Sequence, residues 1–171
     1  MKQPVHSNDL VNLVLSAGLS RRARAHLNTH DSLDANVQRL FIATAPNTYI
    51  RPHRHSEEHK WEFFVVLEGS MDLLIFDDDG TLARRTRMSR ADVRAVEIPP
   101  GTWHSYVCRE AGTIALEVKE GAYTPTPECD FAPWSPADDS DVTQAFLAWM
   151  RVARTGSQPS AIPGSRMKAF D

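Results

Sequence analysis

The chain is poor in cysteine: Cys108 and Cys129 are its only two, among 171 residues. Their separation fits neither a metal knuckle nor a disulfide framework, so both are expected as reduced thiols. Long apolar runs are also missing. The stretch from Leu10 to Leu19 is broken by Asn12 and Ser16 and is followed by no clear small-residue cleavage site. It reads as neither a secretory signal nor a membrane span, which predicts a cytoplasmic protein without a membrane partner. An excess of one charge is absent too: the formal net charge is −3. Nothing in that balance draws the chain to nucleic acid. The local exception is Arg21, Arg22 and Arg24: three arginines in four positions could touch phosphate, but such a run is more often a solvated helix face.

The apolar content, 42%, is enough to bury a core in one domain spanning 1–171. A helical segment is predicted over about 7–29. Its first helix has Ser7, Asn8 or Asp9 as cap, Leu10, Leu13, Val14 and Ala17 on one face and Gly18 as stop. A second short helix fits Ser20 to Leu27. Short β-prone runs then fill about 37–120. Arg39–Ala45 and Tyr49–His55 read as a hairpin around Pro46 and Asn47. Glu62–Leu67, Met71–Phe76, Leu82–Met88, Arg94–Ile98, Trp103–Cys108 and Thr113–Lys119 follow, with Asp77-Asp78-Asp79-Gly80 and Pro99-Pro100-Gly101 as turns. Close-spaced strands without intervening helices mean an all-β sandwich or barrel rather than a βαβ fold. Four prolines between Pro125 and Pro136 exclude regular structure there. A C-terminal helix is predicted over about 141–153, and 154–171 is a tail.

The chemistry concentrates on a few residues. In His53-Arg54-His55, two imidazoles spaced two apart point to one side of a strand, as a shared metal requires. With 7 histidines in the chain, about 0.3 such pairs are expected by chance, so this pair is weak evidence alone. Glu62 shares a strand face with Phe64 and Val66, where a carboxylate is costly unless it is paired or bound to a cation. Pro99-Pro100-Gly101-Thr102-Trp103 delivers His104 to the start of another strand.

The order His-x-His, Glu, six residues, Gly, then Pro-x-Gly-x-x-His resembles the two cupin motifs. More narrowly, about residues 10–153 resemble the WbuC family of cupin metalloproteins, met in O-antigen gene clusters. The likeness is carried by LNTHDSLDANVQRL, YIRPHRH, WEFFVVLEG, FDDDG, VEIPPGTWHS and LEVKEGAY followed by FAPW. It implies a cupin jelly-roll β-barrel with helical extensions at both ends, one divalent metal ion per chain and, commonly, a homodimer. The extensions themselves also favour a dimer. Two departures stand out. Six residues separate His55 from Glu62 where cupins usually have three or four, and Cys108 stands where the second motif ends in Asn.

The predicted metal ligands are therefore His53, His55, His104 and Glu62. His59 competes with Glu62 for the fourth place, because it holds the usual spacing from His55. Nitrogen and carboxylate donors suit Zn, Fe, Ni, Mn or Cu alike. Candidate pocket residues are Arg51, His59, Tyr106 and Glu117. Of Arg51 and Arg54, one is expected at the pocket mouth and the other outward. Three uses fit such a site: a metal-dependent enzyme of isomerase or oxygenase type on a small polar, sugar-derived molecule; a ligand-binding or sensor module without turnover; a structural metal.

Overall fold

The computed structural model describes residues 4–159. A helix, α1 (Ser7–Leu19), precedes strands β1 (Arg24–Asn28), β2 (Val37–Thr44), β3 (Glu62–Glu68), β4 (Ser70–Phe76), β5 (Leu82–Ser89), β6 (Ala95–Ile98), β7 (Trp103–Cys108) and β8 (Thr113–Glu120). A 3-10 turn (Glu128–Asp130) and helix α2 (Thr143–Val152) follow. The strands form two antiparallel sheets, ordered β1-β2-β8-β3-β6 and β5-β4-β7. This is an all-β jelly roll with a helix at each end. Among the described residues no helix is long and apolar enough to cross a membrane.

Side-chain alternation sets the layers. In β3, Glu62, Phe64 and Val66 are buried while Phe63, Val65 and Leu67 are only half-buried. Across the larger sheet this gives inward rows: Gln38, Lys119, Glu62 and Ile98 in one, Leu40, Glu117, Phe64 and Val96 in the next. The smaller sheet answers with neighbouring Leu73 and Tyr106. Phe64 and Tyr106 stack across the interior at 4.2 Å. The outer face of the smaller sheet is covered by α2: Leu74, Phe76 and Val107 pack with Phe146, Leu147 and Met150. Fully burying side chains of this size contributes about 1.5–3 kcal/mol each. On the other side, Leu13 and Ala17 of α1 cover Ala43 and Ile114.

Several expectations need correction. Ser20–Leu27 is not a helix. Ala23 sits at φ 54°, in the left-handed region, and turns the chain so that β1 pairs along β2. Arg39–Ala45 and Tyr49–His55 do not form a hairpin. β2 lies between β1 and β8, and the chain after the turn at Pro46 leaves that sheet. The cap of α1 is His6, whose N–H donates to Asp9 Oδ2 at 2.8 Å, and the helix runs one residue past Gly18. The proline-rich segment does hold one 3-10 turn. The beginning of the tail packs on its own chain: Leu82 N–H donates to Ser157 O, and Gly156 N–H to Leu82 O. Residues 160–171 of that tail lie outside the described residues.

Candidate metal centre

The segment around His53 is extended without belonging to either sheet. On one side, His53 exchanges backbone hydrogen bonds with His104 at 3.0 and 2.9 Å. On the other, Arg54 N–H donates to Asp130 O, and Ala132 N–H to Pro52 O, both at 2.9 Å. Gly101, at φ 73°, permits the tight turn before β7 and donates its N–H to His55 O at 2.7 Å. The buried Asp130 carboxylate ties the same segment from beneath, accepting from Ser56 Oγ at 2.9 Å and Arg54 Nε at 3.4 Å. Arg54 lies over the Trp103 ring.

These contacts bring four sequence-predicted residues together. One donor atom each from His53, His55, Glu62 and His104 lies within 4.8 Å of all the others. Glu62 Oε1 is 2.9 Å from His55 Nε2, and Oε2 is 3.0 Å from His104 Nε2. Both Glu62 and His104 are buried. His53 Nδ1 lies 2.9 Å from Arg51 O, and His104 Nδ1 2.8 Å from Thr102 O. A carbonyl oxygen only accepts, so each Nδ1 carries a proton, and whenever the ring is neutral its lone pair lies on Nε2. Lone pairs then meet a carboxylate in a buried space, an arrangement that calls for a cation between them.

Burial and the neighbouring charges act differently on the members of the cluster. Burial alone would raise the Glu62 pKa, but the His104 and His55 imidazoles hold it well below the usual carboxylate range. Burial, with the neighbouring His104, pushes His53 down to about 3, so its ring is neutral and able to ligate. Burial opposes charge on His104, yet Glu62 outweighs it and raises this histidine.

A cavity of about 520 Å³ opens beside the cluster, with His53, Glu62, Arg51, Tyr106, Glu117 and Lys119 in its wall. Tyr106 Oη is buried without a hydrogen-bond partner among the described residues. Burial and the carboxylates of Glu62 and Glu117 raise its pKa well above normal, keeping it a phenol. Lys119 Nζ stands between two carboxylates, 2.8 Å from Glu117 and 3.5 Å from Glu62. Burial disfavours its charge, but Glu117 and Glu62 raise its pKa above the ordinary value.

Of the candidate pocket residues, Arg51, Tyr106 and Glu117 line the cavity. His59 does not join the cluster: it is exposed, in the loop before β3. Trp61 and Trp103 direct their indole N–H groups to Glu120 and Asp78. Both cysteines are free; Cys108, at the end of β7, is buried with its sulfur 3.1 Å from Glu110 O. Sequence reasoning missed Lys119, although strand parity with Glu117 pointed to it. It also missed Asp130, which no local pattern marks, and Arg22 and Arg24, both in the cavity wall.

Residues 5–88 match a family model described as a domain of unknown function, DUF6016. Among curated proteins none matches. Among solved structures, CapF with the inhibitor 3-isopropenyl-tropolone aligns at TM-score 0.52 and 17% identity, over 62% of this chain and 30% of that one. A cupin 2 domain-containing protein from Halorhodospira halophila aligns at TM-score 0.49 and 16% identity, over 78% and 85%. KdgF from Halomonas sp. aligns at TM-score 0.48 and 14% identity, over 61% and 85%. At such identities the likeness is one of fold, the two-sheet jelly roll described above.

Proposed function

We propose that the protein is a metal-dependent enzyme acting on a small polar molecule, with His53, His55, His104 and Glu62 holding one divalent ion. The observation that carries this reading is the convergence of imidazole lone pairs on a buried carboxylate in the wall of a cavity of about 520 Å³. A bound ion would supply Lewis acidity toward a carbonyl or hydroxyl oxygen. The chain's own groups supply the rest. Thr102 O and Arg51 O fix the ring tautomers of His104 and His53. Tyr106 offers an unspent hydroxyl. Glu117 is a further carboxylate in the cavity wall and the group placed to accept or return a proton; burial raises its pKa against the opposing pull of Lys119. The resemblance to WbuC proteins supports a sugar-derived substrate and, with the helical extensions, a cytoplasmic homodimer.

The test is elemental analysis of protein purified without a histidine tag. One equivalent of metal is expected in the wild type, and substoichiometric metal in each of His53→Ala, His55→Ala and His104→Ala. Stoichiometric metal in all three variants would refute the assignment. Metal-loaded protein that binds sugars but turns none over would move the reading from enzyme to binding module.

A further inference from the structure

The cavity wall also carries guanidinium groups whose charge is poorly matched. Arg22, Arg24 and Arg51 all line it. The side chains of Arg24 and Arg51 are only 10% and 13% exposed, and cations so enclosed need close anionic partners. Theirs are weak. Asp138 serves Arg24 at 3.7 Å and Arg22 at 3.8 Å, both longer than a hydrogen bond. Glu128 bonds Arg51 at 3.1 Å but is 81% exposed, so water screens that pair. Elsewhere the protein does this differently: Asp72 is buried and is gripped by Arg85 and Arg109. Burial and the charge of Arg22 lower Arg24 to about 10, so it stays charged.

The donors are only partly used. Arg24 gives Nη1 to Tyr49 O at 2.6 Å. Arg51 gives Nε to Ser135 Oγ and Nη1 to Glu128. Neither Arg24 Nε nor Arg51 Nη2 takes part in these bonds. Arg51 lies two residues before His53, and its guanidinium rests 4.7 Å from the Phe131 ring centroid, next to the His53 ring.

We propose that Arg22, Arg24 and Arg51 form an anion subsite that takes a carboxylate or phosphate group of the ligand, whose remainder reaches the His53 and Glu62 wall. The ligand class is then a small polyhydroxylated acid or phosphate ester. The planar forks of arginine suit both groups through paired charge-assisted hydrogen bonds. The subsite rests on the metal reading only for where the ligand's other end lies, so its test dispenses with metal.

The experiment is calorimetric titration of chelator-treated full-length protein at low salt, with inorganic phosphate and malonate as separate probes. At least one should bind saturably, and the stronger of the two identifies the group preferred. Arg22→Gln and Arg51→Gln should each weaken that binding about tenfold. Asp138→Asn, which removes the competing carboxylate, should strengthen it severalfold. Arg90→Gln, whose side chain pairs with exposed Glu68 outside the cavity wall, should leave it unchanged. Circular dichroism checks each fold, and Arg51→Lys, which keeps charge without the fork, should fall between wild type and Arg51→Gln. Absence of binding by either anion up to about 20 mM overturns the subsite, as does equal binding by wild type, Arg22→Gln and Arg51→Gln. Metal content is measured on the same preparations before the chelator is added, so either proposal can fail without the other.

Discussion

Glu62→Gln and His59→Ala separate the two ways of completing the metal cluster. Glu62 is buried and touches two of the three histidines at 2.9 and 3.0 Å. His59 is exposed and outside the cluster. At free metal about 100 times Kd, an ion that binds only the folded state stabilises it by about 2.7 kcal/mol. For a chain of this length each kcal/mol moves Tm by about 2–4 °C, so the loaded wild type should melt about 5–10 °C above chelator-treated protein. If losing the Glu62 ligand weakens binding about 100-fold, the same free metal sits at Kd. Only about 0.4 kcal/mol then remains, a shift of about 1 °C. His59→Ala should keep the whole shift. The assay is scanning calorimetry of the three proteins with free metal held by a competing chelator. A full shift in Glu62→Gln together with its loss in His59→Ala would refute the reasoning and make the exposed loop histidine the ligand.

Three further outcomes are expected. Asp72→Ala leaves the charges of Arg85 and Arg109 without their carboxylate beside the last turn of α2. Breaking a buried pair costs about 3–5 kcal/mol, and because these arginine side chains are 21% and 24% exposed, the lower end should appear as a reduced midpoint in urea. Asp130→Asn removes the anion behind Arg54 and Ser56 and should weaken metal binding about tenfold with unchanged circular dichroism, measured by competition with a chelating dye. Light scattering should give twice the 19.2 kDa mass of one chain; a monomer mass at micromolar concentration would exclude the dimer.

What the sequence revealed tracks what is local. Alternation in β3 and the turn residues before β5 and β7 are set by nearest neighbours, and those strands fall where the pattern puts them. β1 was misread because Ala23 carries a backbone angle that its residue type does not advertise. With 20–27 taken as a helix, strand parity could not be applied to Arg24, and its place in the cavity wall stayed hidden. The presumed hairpin after β2 failed for a different reason. Pairing with β8 joins residues far apart in the chain, and no short window contains that information. The four cluster residues were legible because their chemistry is costly in an interior without a partner. Asp130 was not, because its meaning depends on which backbone it lies against.

The stitching of Pro52–Ser56 bears on the order in which the protein matures. A nascent chain extended only to His104 already carries all four cluster residues. It lacks the Asp130 and Ala132 backbone groups that complete the far side of that segment. The four cluster residues thus precede in the chain the segment that completes their support, and a chain shortened before residue 128 would keep all four while losing the clasp beside His53 and His55.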